Sequence, residues 1–135
     1  MSDLAAFLLA RVAEDEAVAR EIADEMVRVA SQYIPGAAPD PDDGGLYASE
    51  DGRNTPAVIV GPARVLAECE SKRRIVELHV STSPSDDGGT ECDQCSFHEA
   101  YEGFNDYSEP APCMTLRILA QPYADHPDYD PAWRL

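Results

Sequence analysis

Three cysteines and one histidine form the only cluster in this sequence of 135 residues that has the spacing of metal ligands: His79, Cys92, Cys95 and Cys113. Two cysteines separated by two residues can bind one ion through both thiolates. A histidine before this CxxC pair and a cysteine after it complete the four ligands of a tetrahedral zinc site. The cluster therefore predicts a structural zinc ion, Zn²⁺, between the second and third helices of the chain.

The histidine ligand is open between two candidates. His79 lies in the last turn of a predicted helix, whereas His98 would give a more local CxxCxxH cluster. We favour His79, although it could instead cap the helix end, and His98 could be a surface residue in a loop. Cys113 follows a proline and precedes MTLRILA, which favours a helix. The first-turn amides and the positive end of that helix would favour a thiolate at Cys113.

Cys69 is predicted to be a small core residue and not a ligand. It falls along one side of the predicted second helix with Val65, Val76 and His79. Ten residues separate Cys69 from His79, so on a continuous helix their backbones lie about 15 Å apart. Ligands of one zinc ion lie only about 2 Å from the metal. Cys69 and His79 are therefore too far apart to bind the same ion.

The surroundings of the CxxC pair do not favour catalysis. A redox CxxC needs an exposed first cysteine at a helix start, whereas several carboxylates flank this pair and would raise the thiol pKa values. A catalytic zinc ion needs an open coordination position and a general base, and the deaminase pattern is missing. Asp125 and His126 resemble the Asp-His pair of zinc-stapled nucleases only as a dipeptide. We therefore expect a protein that is not an enzyme, with a zinc-dependent hydrolase or nuclease as an alternative.

The charge distribution argues against direct nucleic-acid binding. The formal net charge is -16, and no lysine or arginine lies between Arg74 and Arg117. Nucleic-acid affinity comes largely from basic side chains that displace counterions. Either the acidic groups keep a small protein in solution, or they form a face that binds a basic protein or mimics nucleic acid to inhibit a DNA-binding protein. The acidic residues in this interval are Asp86, Asp87, Glu91, Asp93, Glu99, Glu102, Asp106 and Glu109.

Apolar spacing predicts two long helices before the cluster. Apolar residues recur every three or four positions over residues 3–33, and a Gly-Pro pair begins a second helix that ends near His79. The proline-, glycine- and aspartate-rich residues 35–56 predict a long loop, and residues 58–60 a short strand. Residues 40–51 partly match a calcium-binding loop, but an ordinary turn-rich loop explains them better.

The overall prediction is a mainly α fold: one zinc-stabilised domain over residues 1–135. We expect about three helices, an acidic zinc loop over residues 80–112 and at most a short β element. The aromatic residues Tyr123, Tyr129 and Trp133 are expected to fold the tail back over the core. The N-terminus has no basic segment and only a short apolar run, so we expect neither a signal peptide nor a membrane span. In a reducing cytoplasm, four cysteines indicate metal or buried thiols more than disulfides.

Both ends of the chain resemble a known family. The start is DLAAFLLARVAEDE where the family has DLxxFLxARxxEDE, and GPARVLAECESKRRIVELH is followed by a CxxC pair and PCMTLRILAQPYADHPDYDPAWRL. These segments are similar to a family of small actinobacterial and actinophage proteins, domain-of-unknown-function family sixty-two twenty-one. Its TPGPW segment has no counterpart in residues 20–60. The resemblance implies a phage or actinobacterial origin and a ligand set that corresponds to His79, Cys92, Cys95 and Cys113. It does not indicate which activity, if any, the family has.

Overall fold

Helices make up most of the residues that the structure, a computed structural model, describes: 3–33, 61–98 and 106–135. Helix α1 spans Asp3–Tyr33, α2 spans Pro62–His79 and α3 spans Met114–Ala120. Strands β1 (Thr82–Pro84) and β2 (Thr90–Cys92) form a two-stranded antiparallel sheet. Two short 3₁₀ turns, Gln121–Tyr123 and Pro131–Trp133, follow α3. The predicted fold class, mainly helical with a short β element, is confirmed.

The first two helices have the predicted bounds. In α1 the apolar residues Leu4, Leu8 and Val12 are each at least 98% buried, because spacings of four residues place them on one face. Full burial of such a side chain contributes about 1.5–3 kcal/mol to folding. Helix α2 begins with Pro62 in its first turn, where the missing N–H leaves no hydrogen bond unmade. The N–H groups of Arg64 and Val65 both donate to the Gly61 carbonyl and start that helix.

The chain divides into two compact units, and the first contains Met1–Val12 and Ser71–Leu135. Its core is built from the first turns of α1, from Val76 of α2 and from Leu116 and Ala120 of α3. The rings of Tyr123, Tyr129 and Trp133 lie 6.3, 5.9 and 5.1 Å from the Phe7 ring. The prediction that these aromatic residues fold the tail over the core is confirmed.

The second unit is Ala13–Glu70. Among its described residues, Ala19 is 3% exposed and Cys69 only 1%. The predicted burial of Cys69 is therefore confirmed. The predicted loop at 35–56, the calcium-loop match at 40–51 and the predicted strand at 58–60 lie outside the described residues.

A β-hairpin lies within the segment predicted as an acidic loop, residues 80–112. Thr82 pairs with Cys92 and Pro84 with Thr90. Gly88 makes the turn with φ 86°, a conformation that a residue with a side chain rarely adopts. The Asp87 carboxylate accepts a hydrogen bond of 3.1 Å from the Gly89 N–H and closes the turn. The two-stranded sheet is the short β element that the prediction allowed. A single zinc-stabilised domain over 1–135 stays a prediction.

Candidate metal centre

Four different structural elements supply the residues of the predicted cluster. His79 is the last residue of α2, and Cys92 is the last residue of β2. The N–H groups of Cys95 and Ser96 both donate to the Cys92 carbonyl, at 3.2 and 2.9 Å, and so form a tight turn after the strand. Cys113 is the N-cap residue of α3, with extended backbone angles. The helix end, the hairpin, the turn and the next helix start therefore meet at one point.

The donor atoms have the spacing of a tetrahedral metal site. His79 Nδ1 lies 3.6 Å from the sulfur of Cys92, 3.3 Å from that of Cys95 and 3.5 Å from that of Cys113. All four donor atoms lie within 4.8 Å of one another. A tetrahedral zinc ion, with nitrogen at about 2.1 Å and sulfur at about 2.3 Å, would place these atoms roughly 3.6 Å apart. The three separations between His79 and the cysteine sulfurs thus fit a tetrahedral zinc ion.

The cluster is largely closed to solvent. Cys92 and Cys113 are fully buried, and His79 and Cys95 are partly buried. The Thr115 hydroxyl lies 3.9 Å from the Cys95 sulfur, where it can donate a weak hydrogen bond to a thiolate. Four protein donors already complete a tetrahedral shell, so a metal held here would keep no position for substrate.

Burial raises the pKa of two of the three thiols in this cluster. Burial first, and the neighbouring Cys113 thiol second, raise the pKa of Cys95 to about 12. Burial also raises the pKa of Cys113, against the effect of the Leu116 backbone N–H. These thiols alone are therefore protonated at neutral pH and are poor nucleophiles, which disfavours redox chemistry. A divalent ion reverses the balance because it stabilises thiolates and displaces their protons.

His98, the rival fourth ligand, lies in a different environment. Its Nε2 is 2.6 Å from the Glu91 carboxylate, and its Nδ1 is 3.8 Å from the Asp106 carboxylate. The hydrogen bond to Glu91 is the main reason that the pKa of His98 is raised. His98 is not part of the four-residue donor group. The structure therefore brings His79, and not His98, to the three cysteines.

Two further candidates lie apart from the donor group. Cys69 is buried and contributes no donor atom to it. His126 stacks edge-on against the Phe7 ring, 5.7 Å between centroids, and its Nδ1 lies 2.6 Å from an Arg11 guanidinium nitrogen. Across residues 3–33, 61–98 and 106–135, the four-residue donor group is the one group of three or more potential ligands close enough to hold an ion. Asp125 and His126 do not belong to that group.

Sequence reasoning missed the burial of Glu91. Its place in the acidic interval between Arg74 and Arg117 predicts a surface residue, but Glu91 is only 6% exposed. Its carboxylate accepts hydrogen bonds from the Ser108 hydroxyl and from His98, and both lower the pKa of Glu91. No local sequence signal indicated this burial, because the two partners of Glu91 lie 7 and 17 residues away along the chain.

Comparisons with known proteins identify a family but no characterised relative. No curated protein and no solved structure matches this chain. None of the helices in the described residues is long and apolar enough to cross a membrane. A family model matches residues 1–135, the whole sequence. The chain therefore belongs to the family of unknown function DUF6221.

Proposed function

We propose that this chain is a small zinc-binding accessory or protein-interaction module without catalytic activity. One observation carries the proposal: the nitrogen of His79 and the sulfurs of three cysteines gather at the separations of a tetrahedral zinc shell. Zinc at this point would join the end of α2, the hairpin and the start of α3. Its role would be to hold the fold together.

The donor set supports a structural ion more than a catalytic one. A catalytic zinc ion typically has three protein ligands and an exchangeable water. Here three thiolates and one imidazole would fill the shell. Glu91, the buried carboxylate nearest in sequence, is engaged by His98 and Ser108 and is not among the donors. A zinc-dependent hydrolase is therefore the weaker proposal.

The net charge of -16 favours a basic protein as the partner and disfavours direct nucleic-acid contact. A metal held by three thiolates also needs reduced cysteines, so we place the protein in a reducing cytoplasm. An actinobacterial or phage origin is part of the same proposal, through the family resemblance.

Metal analysis of the purified protein tests this proposal. We expect one zinc per chain, retained through size-exclusion chromatography. Cys92→Ser, Cys95→Ser and Cys113→Ser should each lose the metal, because three ligands hold zinc far more weakly than four. Cys69→Ala is the matched control and should keep it. Protein without zinc, or release of zinc by Cys69→Ala alone, would contradict the proposal.

An inhibitor that mimics nucleic acid is a second candidate, favoured by one observation. An open cleft of about 690 Å³ is lined by the carboxylates of Asp86, Asp87, Glu91 and Asp106. If this cleft binds DNA-binding proteins, a pull-down from host lysate should recover them and lose them steeply with salt. Asp86→Lys should weaken that recovery with little change in thermal stability, since Asp86 is exposed. Unchanged recovery would eliminate the mimic.

A further inference from the structure

The unit Ala13–Glu70 has an exposed apolar groove that no part of the metal centre uses. The groove has a volume of about 200 Å³ and lies between α1 and the first turn of α2. Two large side chains on it are half exposed: Val18 at 55% and Ile22 at 49%. Its lining consists of Asp15, Val18, Ala19, Ile22, Pro62 and Val65.

The exposed apolar residues continue along one face of α1. Val18 and Ile22 are four residues apart, and Val29, 38% exposed, follows seven residues after Ile22. These spacings place the three side chains on one side of a helix. Single exposed aliphatic residues are common, but an aligned strip beside a groove is typical of an interaction surface.

The charge around this strip indicates the chemistry of what would cover it. From Ala13 to Val29, α1 carries six carboxylates and two arginines, a net charge of -4. Both arginines pair with acidic residues of the same helix: Arg20 lies 3.6 Å from Glu16, and Arg28 donates a 2.7 Å hydrogen bond to Glu25. A second copy of the chain would bring carboxylates against carboxylates. A partner rich in lysine and arginine would be attracted instead.

We propose that the α1 face from Asp15 to Val29, together with Pro62 and Val65, binds an amphipathic helix with a basic rim from a partner protein. The apolar face of that helix would fill the groove, and its lysine or arginine side chains would meet the acidic rim. This inference rests on the proposed function, since it names the surface and the partner class of the interaction module.

Fluorescence anisotropy with a designed peptide tests the proposal. The probe is a fluorescein-labelled peptide of leucine and lysine at helical spacing, about five turns long. We expect saturable binding to the full-length, zinc-loaded chain. Val18→Ser combined with Ile22→Ser should weaken binding at least about tenfold, because the apolar contacts are lost. The single variant Val18→Ser should weaken it less and serves as a second measurement if the double variant is unstable.

Val27→Ser is the matched control. Val27 is also a half-exposed valine of α1, at 50%, but it lies nine residues after Val18 and therefore about half a turn around the helix. Its substitution should leave peptide binding unchanged. A scrambled peptide of the same composition should bind at least about tenfold more weakly, because it has the charge but no apolar face.

Four outcomes would overturn the proposal. Equal binding of the scrambled peptide, or of the Val18→Ser/Ile22→Ser chain, would mean charge attraction alone. Self-association in sedimentation that the double variant abolishes would assign the face to a second copy. Tighter peptide binding after replacement of residues 34–60 by a flexible linker would make the chain itself the occupant. A chain that contains no zinc but still binds the peptide through the groove would contradict only the metal proposal. A chain that contains zinc but does not bind the peptide through the groove would contradict only the docking proposal.

Discussion

The two halves of α1 share one apolar spacing and have opposite burial. Leu4, Leu8 and Val12 in the first half are almost completely buried, whereas Val18 and Ile22 in the second half are about half exposed. The first half belongs to the unit that contains the donor cluster and the aromatic tail, and the second half belongs to the unit Ala13–Glu70. Spacing therefore determines that a helix forms, while the elements available in each unit determine which face is covered.

Metal removal should produce the largest difference between the two units. Binding free energy at a structural zinc site is folding free energy, of about 10–16 kcal/mol in small zinc domains. Chelation should therefore lower the melting temperature by more than about 10 °C. Hydrogen exchange should show the loss of protection in β2 and α3, where Cys92 and Cys113 lie. Unchanged melting in the presence of excess chelator would remove zinc as the source of stability.

A pair of truncations within α1 should give the next largest effect. Leu8→Ala removes a side chain that is 2% exposed, so it should cost about 2–5 kcal/mol of unfolding free energy. Ile22→Ala removes one that is 49% exposed and should cost less than about 1 kcal/mol. Urea denaturation of both variants measures the difference directly. Similar costs would mean that Ile22 is covered in solution.

Cysteine substitutions should destabilise the two units to different extents. The loss of unfolding free energy should be smaller for a cysteine in the unit Ala13–Glu70. Cys69→Ala should lower the unfolding free energy by about 1 kcal/mol, because it removes one buried sulfur from the unit Ala13–Glu70. Cys92→Ser should cost several times more, since it also releases the metal. Thermal unfolding of both variants at equal zinc provides the comparison. Equal destabilisation would place Cys69 in the metal shell.

The elements with strong periodicity could be predicted from the sequence, and those fixed by tertiary contacts could not. The stripe of α1, the Gly-Pro start of α2 and the CxxC spacing each carry their signal locally. The spacing of the cysteines left His79 and His98 both open as the histidine ligand, with His79 favoured, and zinc as the bound ion stays a prediction. Strands of three residues have no measurable alternation, so the sequence predicts a short β element without placing it at Thr82–Cys92.

The burial of Glu91 shows the same limit for a single side chain. Its two partners, His98 and Ser108, lie 7 and 17 residues away and meet it only in the folded chain. Charge counting alone assigned Glu91 to the solvated surface. Glu91 and Cys92 point to opposite faces of β2, so the two neighbouring side chains have different surroundings.

Stability should depend weakly on pH through His98, and this is the smallest effect that we expect. The hydrogen bond to Glu91 raises the pKa of His98 above its usual value near 6.5. A raised pKa in the folded state means that the protonated histidine stabilises the fold. This contribution is complete below about pH 6.5 and is lost as the pH rises through the raised pKa. The ion pair with protonated His98 also requires an ionised Glu91. Hydrogen bonds from Ser108 and His98 lower the pKa of Glu91, so its carboxylate is already charged at the pH values where His98 titrates.

The measurement is thermal unfolding of the unmutated chain and His98→Ala between pH 5.5 and 9 in buffers with saturating zinc. The variant should be less stable than the unmutated chain at the acidic end, and the difference should shrink towards the alkaline end. Zinc content should be equal in both proteins, because His98 lies with Glu91 and Asp106 and not with the sulfurs. His79→Ala is the contrast: it should lose zinc at every pH. A difference that grows with pH, or zinc loss in His98→Ala, would return His98 to the list of ligands.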